Sequence, residues 1–176
     1  MKHSAPTVVA IAAMTIDGKI AQHSNQFSDW TSPEDKDILH RHLDESDVVV
    51  VGHNTFRTAV APLSKRNCIV MTRSVVATER RNDNLLFWNP EGISALTVLD
   101  GYRKVALLGG TQAYTYFLEH NLVDEIVLTI EPLIFGNGLN LFERSGVVAA
   151  MFRMVSMKQL NERGSIVLHY ERAATV

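Results

Sequence analysis

Short apolar runs punctuate the chain without alternating: Val8 to Ala13, Val48 to Val51, Cys68 to Met71 and Val105 to Leu108. Unbroken runs of small and β-branched residues fit strands covered on both faces. Between them the period lengthens. Thr31-Ser32-Pro33-Glu34-Asp35 offers a hydroxyl at the N-cap, proline at the first helical position and acids in the first turn, and Ile38, Leu39, His42 and Leu43 follow as a stripe, so a helix is predicted to about Ser46. A short helix is expected through TFRTAV after Asn54, a strand at Leu85 to Trp88 and a helix at Glu91 to Leu99. Gln112 to His120 carries Tyr114, Phe117 and Leu118 at three-and-four spacing and reads as an amphipathic helix; Tyr114 fits either its core stripe or a ligand pocket. Glu125 to Pro132 begins another strand, and the glycines of GNGLNLF read as a turn.

The tail changes character. Phe152 to Gln159 and Ser165 to Glu171 alternate apolar and polar around the turn signal Asn161-Glu162-Arg163-Gly164, which predicts an antiparallel hairpin. Strand alternating with helix through Leu118 predicts a mostly parallel sheet with helices on both faces, and the hairpin extends one edge. The expected fold class is therefore α/β, a three-layer sandwich with that hairpin at its C-terminal end. At 176 residues one domain is expected over the whole chain. The polar stretch Thr15 to Trp30 is left as a long loop containing an Asp-Gly turn, of a length that compact domains usually give to function.

In parallel sheets, ligands bind outside the carboxyl ends of the strands. Gly52, the Thr72-Arg73-Ser74 cluster and Gly109-Gly110 all follow predicted strand ends. Glycines let another molecule approach the backbone, and a helix opening at Thr111 aims unpaired N–H groups at the same point, an arrangement that suits a pyrophosphate. Arg73 with two flanking hydroxyls suits a phosphate dianion.

Net charge of −2 gives no general attraction for nucleic acid or anionic lipid. No run approaches a membrane span, and the opening residues lack a signal-peptide shape, which points to a cytoplasmic protein. The single Cys68 is expected on a buried strand. His40 and His42, two apart on a helix, face different ways and make no metal site.

The segments TIDGKIA (Thr15 to Ala21), WTSPED (Trp30 to Asp35), DVVVVGHNTFR (Asp47 to Arg57), MTRS (Met71 to Ser74), LGG (Leu108 to Gly110) and LVDEIVLTIEPLIFGNGLNLF (Leu122 to Phe142) occur in a specific order and spacing. Together they resemble the dihydrofolate reductase superfamily, and more closely the branch containing the C-terminal reductase domain of the bifunctional riboflavin-synthesis protein RibD. The resemblance implies an NADPH-dependent reductase of a small heterocyclic substrate, pyrimidine-like or pterin-like, and a homodimer. It implies cofactor contacts at Gly52, Thr55 and Arg57, at Thr72, Arg73 and Ser74 around the 2′-phosphate, and at Gly109, Gly110, Thr111 and Gln112. Asp17 and Lys19 match a DGK motif near the substrate, Trp30 falls where a tryptophan lines the folate pocket, and Asp35 falls on a helix carboxylate that supplies a proton. Asp35 and Lys19 are thus the catalytic candidates, and Asp17 and Trp30 the substrate-binding ones.

Departures accompany the match. Ala59 and Leu108 stand where the riboflavin branch carries acids that reach its substrate. Two further readings follow: a dihydrofolate reductase proper, or a nucleotide-binding module without turnover.

Overall fold

The computed structural model describes residues 5–143 and 149–173. In chain order the elements are β1 (Thr7–Thr15), β2 (Lys19–Ala21), α1 (Pro33–Asp44), β3 (Val48–Gly52), α2 (His53–Thr58), α3 (Val60–Leu63), β4 (Cys68–Met71), β5 (Thr78–Asn82), β6 (Leu85–Trp88), α4 (Ala95–Val98), β7 (Lys104–Leu107), α5 (Thr111–Glu119), β8 (Glu125–Glu131), β9 (Leu139–Asn140), β10 (Phe152–Gln159) and β11 (Ile166–Arg172). A nine-stranded sheet runs in the order β10-β11-β8-β1-β7-β3-β4-β6-β5. Its centre is parallel, while β11 meets β8 and β10 meets β11 antiparallel, as does β5 at the opposite edge. The α/β sandwich and the terminal hairpin both match expectation.

The apolar runs are buried because each strand contributes to two cores at once. Val8, Ala10, Val48, Val50, Val105 and Leu107 face α5 and pack with Phe117 and Trp88. Their neighbours Val9, Ile11, Val49, Val51 and Ala106 face the other way, onto Leu43 of α1 and Leu63. Successive side chains point to opposite faces, so a strand between two layers must be apolar throughout. Cys68 is buried in β4 as expected, and burial pushes its thiol up to about 12.

α1 begins as its sequence dictates. Ser32 is the N-cap and accepts the Asp35 N–H, Pro33 opens the helix, and the helix ends at Asp44. His40 is exposed and His42 half-buried.

Two expectations are corrected, and one strand was not read from the sequence. The helix over Glu91 to Leu99 shrinks to the single turn of α4, capped by Ser94, because Pro90 and Gly92 supply no helical face. The Thr15–Trp30 loop contains β2, which pairs with β9 inside the expected GNGLNLF turn. Finally, β5 is a strand although TERRN is wholly exposed; an edge strand on solvent needs no apolar face, and charge there blocks pairing with other chains.

Phe117 is fully buried at the centre of the α5-side core. Phe117→Ala is expected to cost about 3–5 kcal/mol of unfolding free energy, read from the urea midpoint.

Candidate functional site

The parallel strands β1, β4, β3 and β7 end on one edge of the sheet, and the segments that follow them converge there. Gly52, ending β3, donates its N–H to Gly109 O at 2.5 Å. A Cβ on Gly52 would stand 3.2 Å from Gly110 N and 3.3 Å from Gly109 O, so two strand ends meet backbone to backbone. Gly109 has φ +82°, and the Gly109–Gly110 peptide is cis. A side chain at Gly109 would also strike the Tyr114 ring, 2.3 Å away. Tyr114 itself is buried, and its hydroxyl donates to Ile11 O at 2.5 Å, which makes it a core residue beneath the glycines.

Beside this contact lies a cleft of about 570 Å³, within the range of small-ligand sites. Gly52 and Thr55 form one wall, Gly110, Thr111 and Gln112 another, and Thr72 and Arg73 one end. α5 starts at Thr111 without a side-chain cap, so its first turn presents N–H groups toward the cleft. The Thr111 hydroxyl donates to Asn140 O at 2.6 Å and ties β9 to the same helix end.

At the far end, buried Thr72 organises its own turn. Its hydroxyl donates to Ser74 Oγ at 3.0 Å and accepts the Ser74 N–H at 3.1 Å. Arg73 is exposed and its Nε lies 2.9 Å from Glu91 Oε1. Glu119 and Glu143 also line the cleft, so its charge is mixed. Arg57 and Ser74 are not among the lining residues, and Arg57 sits exposed on the last turn of α2.

A second group gathers at the start of α1. Asp35 is buried, with the hydroxyls of Thr129 and Thr31 close enough to favour its charged form, and it lies close enough to Tyr114 to act on it electrostatically. Burial holds the Asp35 carboxyl above the usual aspartate range, the charge of Glu131 adds to this, and the two hydroxyls oppose it. Glu131, 3% exposed at the end of β8, accepts the Ser32 N–H at 2.8 Å and the Ser165 hydroxyl at 2.5 Å.

Trp30 packs edge-on against Phe135, centroids 5.0 Å apart, and its buried Nε1 has no hydrogen-bond partner among the described residues. Lys19 Nζ donates to Asn140 Oδ1 at 2.6 Å, on the β2–β9 ribbon and outside the cleft lining. Asp17 serves the protein rather than a ligand: Oδ1 takes the Thr15 hydroxyl at 2.5 Å and the Phe135 N–H, and Oδ2 takes the Gly136 N–H at 2.8 Å. The Thr15 hydrogen bond, with those backbone donors, holds its carboxyl below the usual range.

The sequence alone does not single out His53, which lines the cleft with Nδ1 3.4 Å from the Thr72 hydroxyl, or Thr129 and Glu131. A signal for Glu131 existed: in IVLTIEP, Val127, Thr129 and Glu131 alternate onto one face, so an acid is carried into a buried layer.

Residues 6–165 match the RibD C-terminal domain. The chain belongs to that family. The uncharacterized protein YwjB of Bacillus subtilis is 26% identical, over 94% of this chain and 97% of its own. The solved structure of a Thermotoga maritima diaminohydroxyphosphoribosylaminopyrimidine deaminase/5-amino-6-(5-phosphoribosylamino)uracil reductase aligns with TM-score 0.73 at 20% identity, over 96% of this chain and 57% of that one. Enterococcus faecalis dihydrofolate reductase complexed with NADP(H) and RAB-propyl aligns with TM-score 0.71 at 18% identity, over 96% and 97%. No helix among the described residues is long and apolar enough to cross a membrane.

The raised Asp35 pKa sets the sign of a stability effect. Between the unfolded and folded pKa values the folded chain holds the extra proton, so stability falls as pH rises through that window. Asp35→Asn is therefore expected to have a higher urea midpoint than the wild type at neutral pH, with the gap closing as pH is lowered below the unfolded aspartate value.

Proposed function

We propose that the protein is an NADPH-dependent reductase that delivers hydride to a C=N or C=O bond of a small heterocycle. The observation that carries this reading is the junction at Tyr114. Its ring lies under Gly109 at the edge of a donor-lined cleft, and buried Asp35 lies close enough to act on the same side chain. This supports a reading in which the cofactor cleft and the acid lie on two sides of one residue.

The residues present fit a dinucleotide. Gly52 and Gly110 bring bare backbone to the cleft wall, and the first turn of α5 offers N–H groups to a pyrophosphate. Arg73 at the cleft end offers a planar fork to the 2′-phosphate, which separates NADPH from NADH; releasing Glu91 is part of the cost of binding. Thr72 and Ser74 hold the arginine's turn in shape. NADPH, when bound, supplies the hydride.

The protein's own chemistry lies in proton supply and positioning. Asp35 keeps its proton to higher pH than an exposed aspartate, so it is ready to donate to the atom that gains negative character as hydride arrives. Trp30, with an apolar face and an unpartnered Nε1 donor, forms part of the substrate wall. Lys19 and Asp17 act from the β2–β9 ribbon, Lys19 through Asn140 and Asp17 by anchoring residues 135–136.

Ala59 and Leu108 shape the substrate question. Both pack against the α1-side core, so neither supplies the acid that the riboflavin branch uses. The buried acid at Asp35 favours a pterin-like heterocycle, the second reading. Self-association is assigned to edge strand β10, where Met154, Val155 and Met157 are exposed and the outer hydrogen-bonding row is open to a second copy.

Arg73→Ala is expected to weaken NADPH binding about tenfold, less than a fully buried charged hydrogen bond because the site is exposed, and to leave NADH binding unchanged. Asp35→Asn is expected to lower kcat about a hundredfold while NADPH still binds, measured as loss of NADPH absorbance in a screen of pterins and pyrimidines. Equal affinity for both dinucleotides would contradict the cofactor assignment, and an unaffected kcat the acid's role.

A further inference from the structure

His53 stands between the glycine that ends β3 and the hydroxyl cluster at the far end of the cleft. It is the first residue of α2, half-buried, and the one histidine among the described residues that line this cleft, where it joins Gly52, Met71, Thr72 and Arg73. Its ring packs against Phe87 of β6, with centroids 5.8 Å apart, and its Nδ1 stands 3.4 Å from the Thr72 hydroxyl oxygen. Two contacts on different strands thus fix where the ring sits and which nitrogen is turned toward the protein.

The hydrogen bonds of Thr72 decide which form of the ring meets a ligand. A hydroxyl has one proton to give, and Thr72 gives it to Ser74 Oγ at 3.0 Å while accepting the Ser74 N–H at 3.1 Å. Toward His53 its oxygen is left to accept, so this network assigns the proton of a neutral ring to Nδ1 and leaves the lone pair on Nε2. A lone pair repels a phosphate oxygen. With a second proton, Nε2 becomes a charged donor, the kind of partner that a phosphate dianion holds most strongly.

We propose that His53 makes the choice of dinucleotide proton-linked: Nε2 takes up one proton from solvent when the 2′-phosphate of NADPH binds beside Arg73, and takes up none for NADH. The inference rests on the NADPH reading and deepens it, adding to Arg73 a second cation that exists only in the protonated ring. Arginine stays charged at every pH the protein meets and supplies the constant part of the preference. The histidine supplies the part that changes. Because binding and proton uptake are reciprocal, affinity for NADPH relative to NADH is highest at low pH and is lost as pH rises through the histidine range.

The charged groups around the ring come from each neighbouring element. Arg57 follows four residues along α2, Arg73 is paired with Glu91 at the cleft end, and Arg81, paired with Glu79, lies over the same Phe87 ring at 4.7 Å. Glu119 and Glu143 line the cleft. Arginine and glutamate side chains as types keep one charge across the histidine range. The phosphate itself titrates at about pH 6, but in the opposite sense, gaining charge as pH rises. A preference for NADPH that falls with pH is therefore a signature of the histidine.

The test is a tryptophan-fluorescence titration with NADPH and with NADH, at about pH 6 and about pH 8, on the two sides of the histidine range. Wild type, His53→Gln and His53→Arg are compared, each checked for native circular dichroism. The wild-type preference for NADPH is expected to fall about tenfold from the lower to the higher pH. In His53→Gln the preference is expected to be weak at both and not to fall, and in His53→Arg to stay strong at both. A wild-type preference that does not change with pH, or a fall that survives in His53→Gln, would overturn the proposal while leaving the reductase reading intact. Failure of NADPH to bind at either pH would overturn that reading and the proposal together.

Discussion

The contact on which the site depends is the one between the backbones of Gly52 and Gly109. It places the ends of β3 and β7 at hydrogen-bonding distance, and no side chain fits at either glycine without displacing a neighbour. Everything around the cleft takes its position from it. α2 leaves from Gly52, α5 leaves from Gly110, and Tyr114 packs upward against the turn from within α5. Bare backbone in that position also leaves room that a side chain would otherwise fill, so the same constraint shapes both the packing and the cleft.

The sheet was legible because burial on both faces writes itself as an unbroken apolar run. Val48–Val51 and Val105–Leu107 read as buried strands and are central in the sheet, and Ser32-Pro33 marked the start of α1 to the residue. The short elements were not legible. β2 and β9 hold too few residues to show a period, and β5 is polar because it bounds the sheet on solvent. At the site, Gly52, Thr55, Thr72, Arg73 and Gly110–Gln112 came together as their positions after strand ends implied. Asp17 and Glu131 show the limit of that reasoning. An acid in a turn and an acid in a strand look alike in sequence, and only the donors around each decide which one stabilises a loop and which one ties the sheet to the start of α1.

Electrostatics divides the site into two regimes. The cleft is open and its charges are exposed, with Arg73 paired to Glu91 and acids at Glu119 and Glu143, so water and salt screen much of what each contributes. Asp35, beyond Tyr114, is buried, and there burial and the neighbouring hydroxyls set its proton affinity. A chain that needed only stability would place apolar residues at Asp35 and Glu131. Keeping Asp35 buried, with its carboxyl held above the usual aspartate range, costs stability at neutral pH.

Amide NMR of nitrogen-15-labelled protein titrated with NADPH tests the central claim most directly, because it reads the backbone groups said to meet the cofactor. The account predicts that Gly52, Thr55, Arg73 and the Gly110 to Gln112 segment shift together with one saturating affinity, while the hairpin turn around Ser165 stays in place. No perturbation at saturating NADPH, or changes confined to another surface, would contradict it.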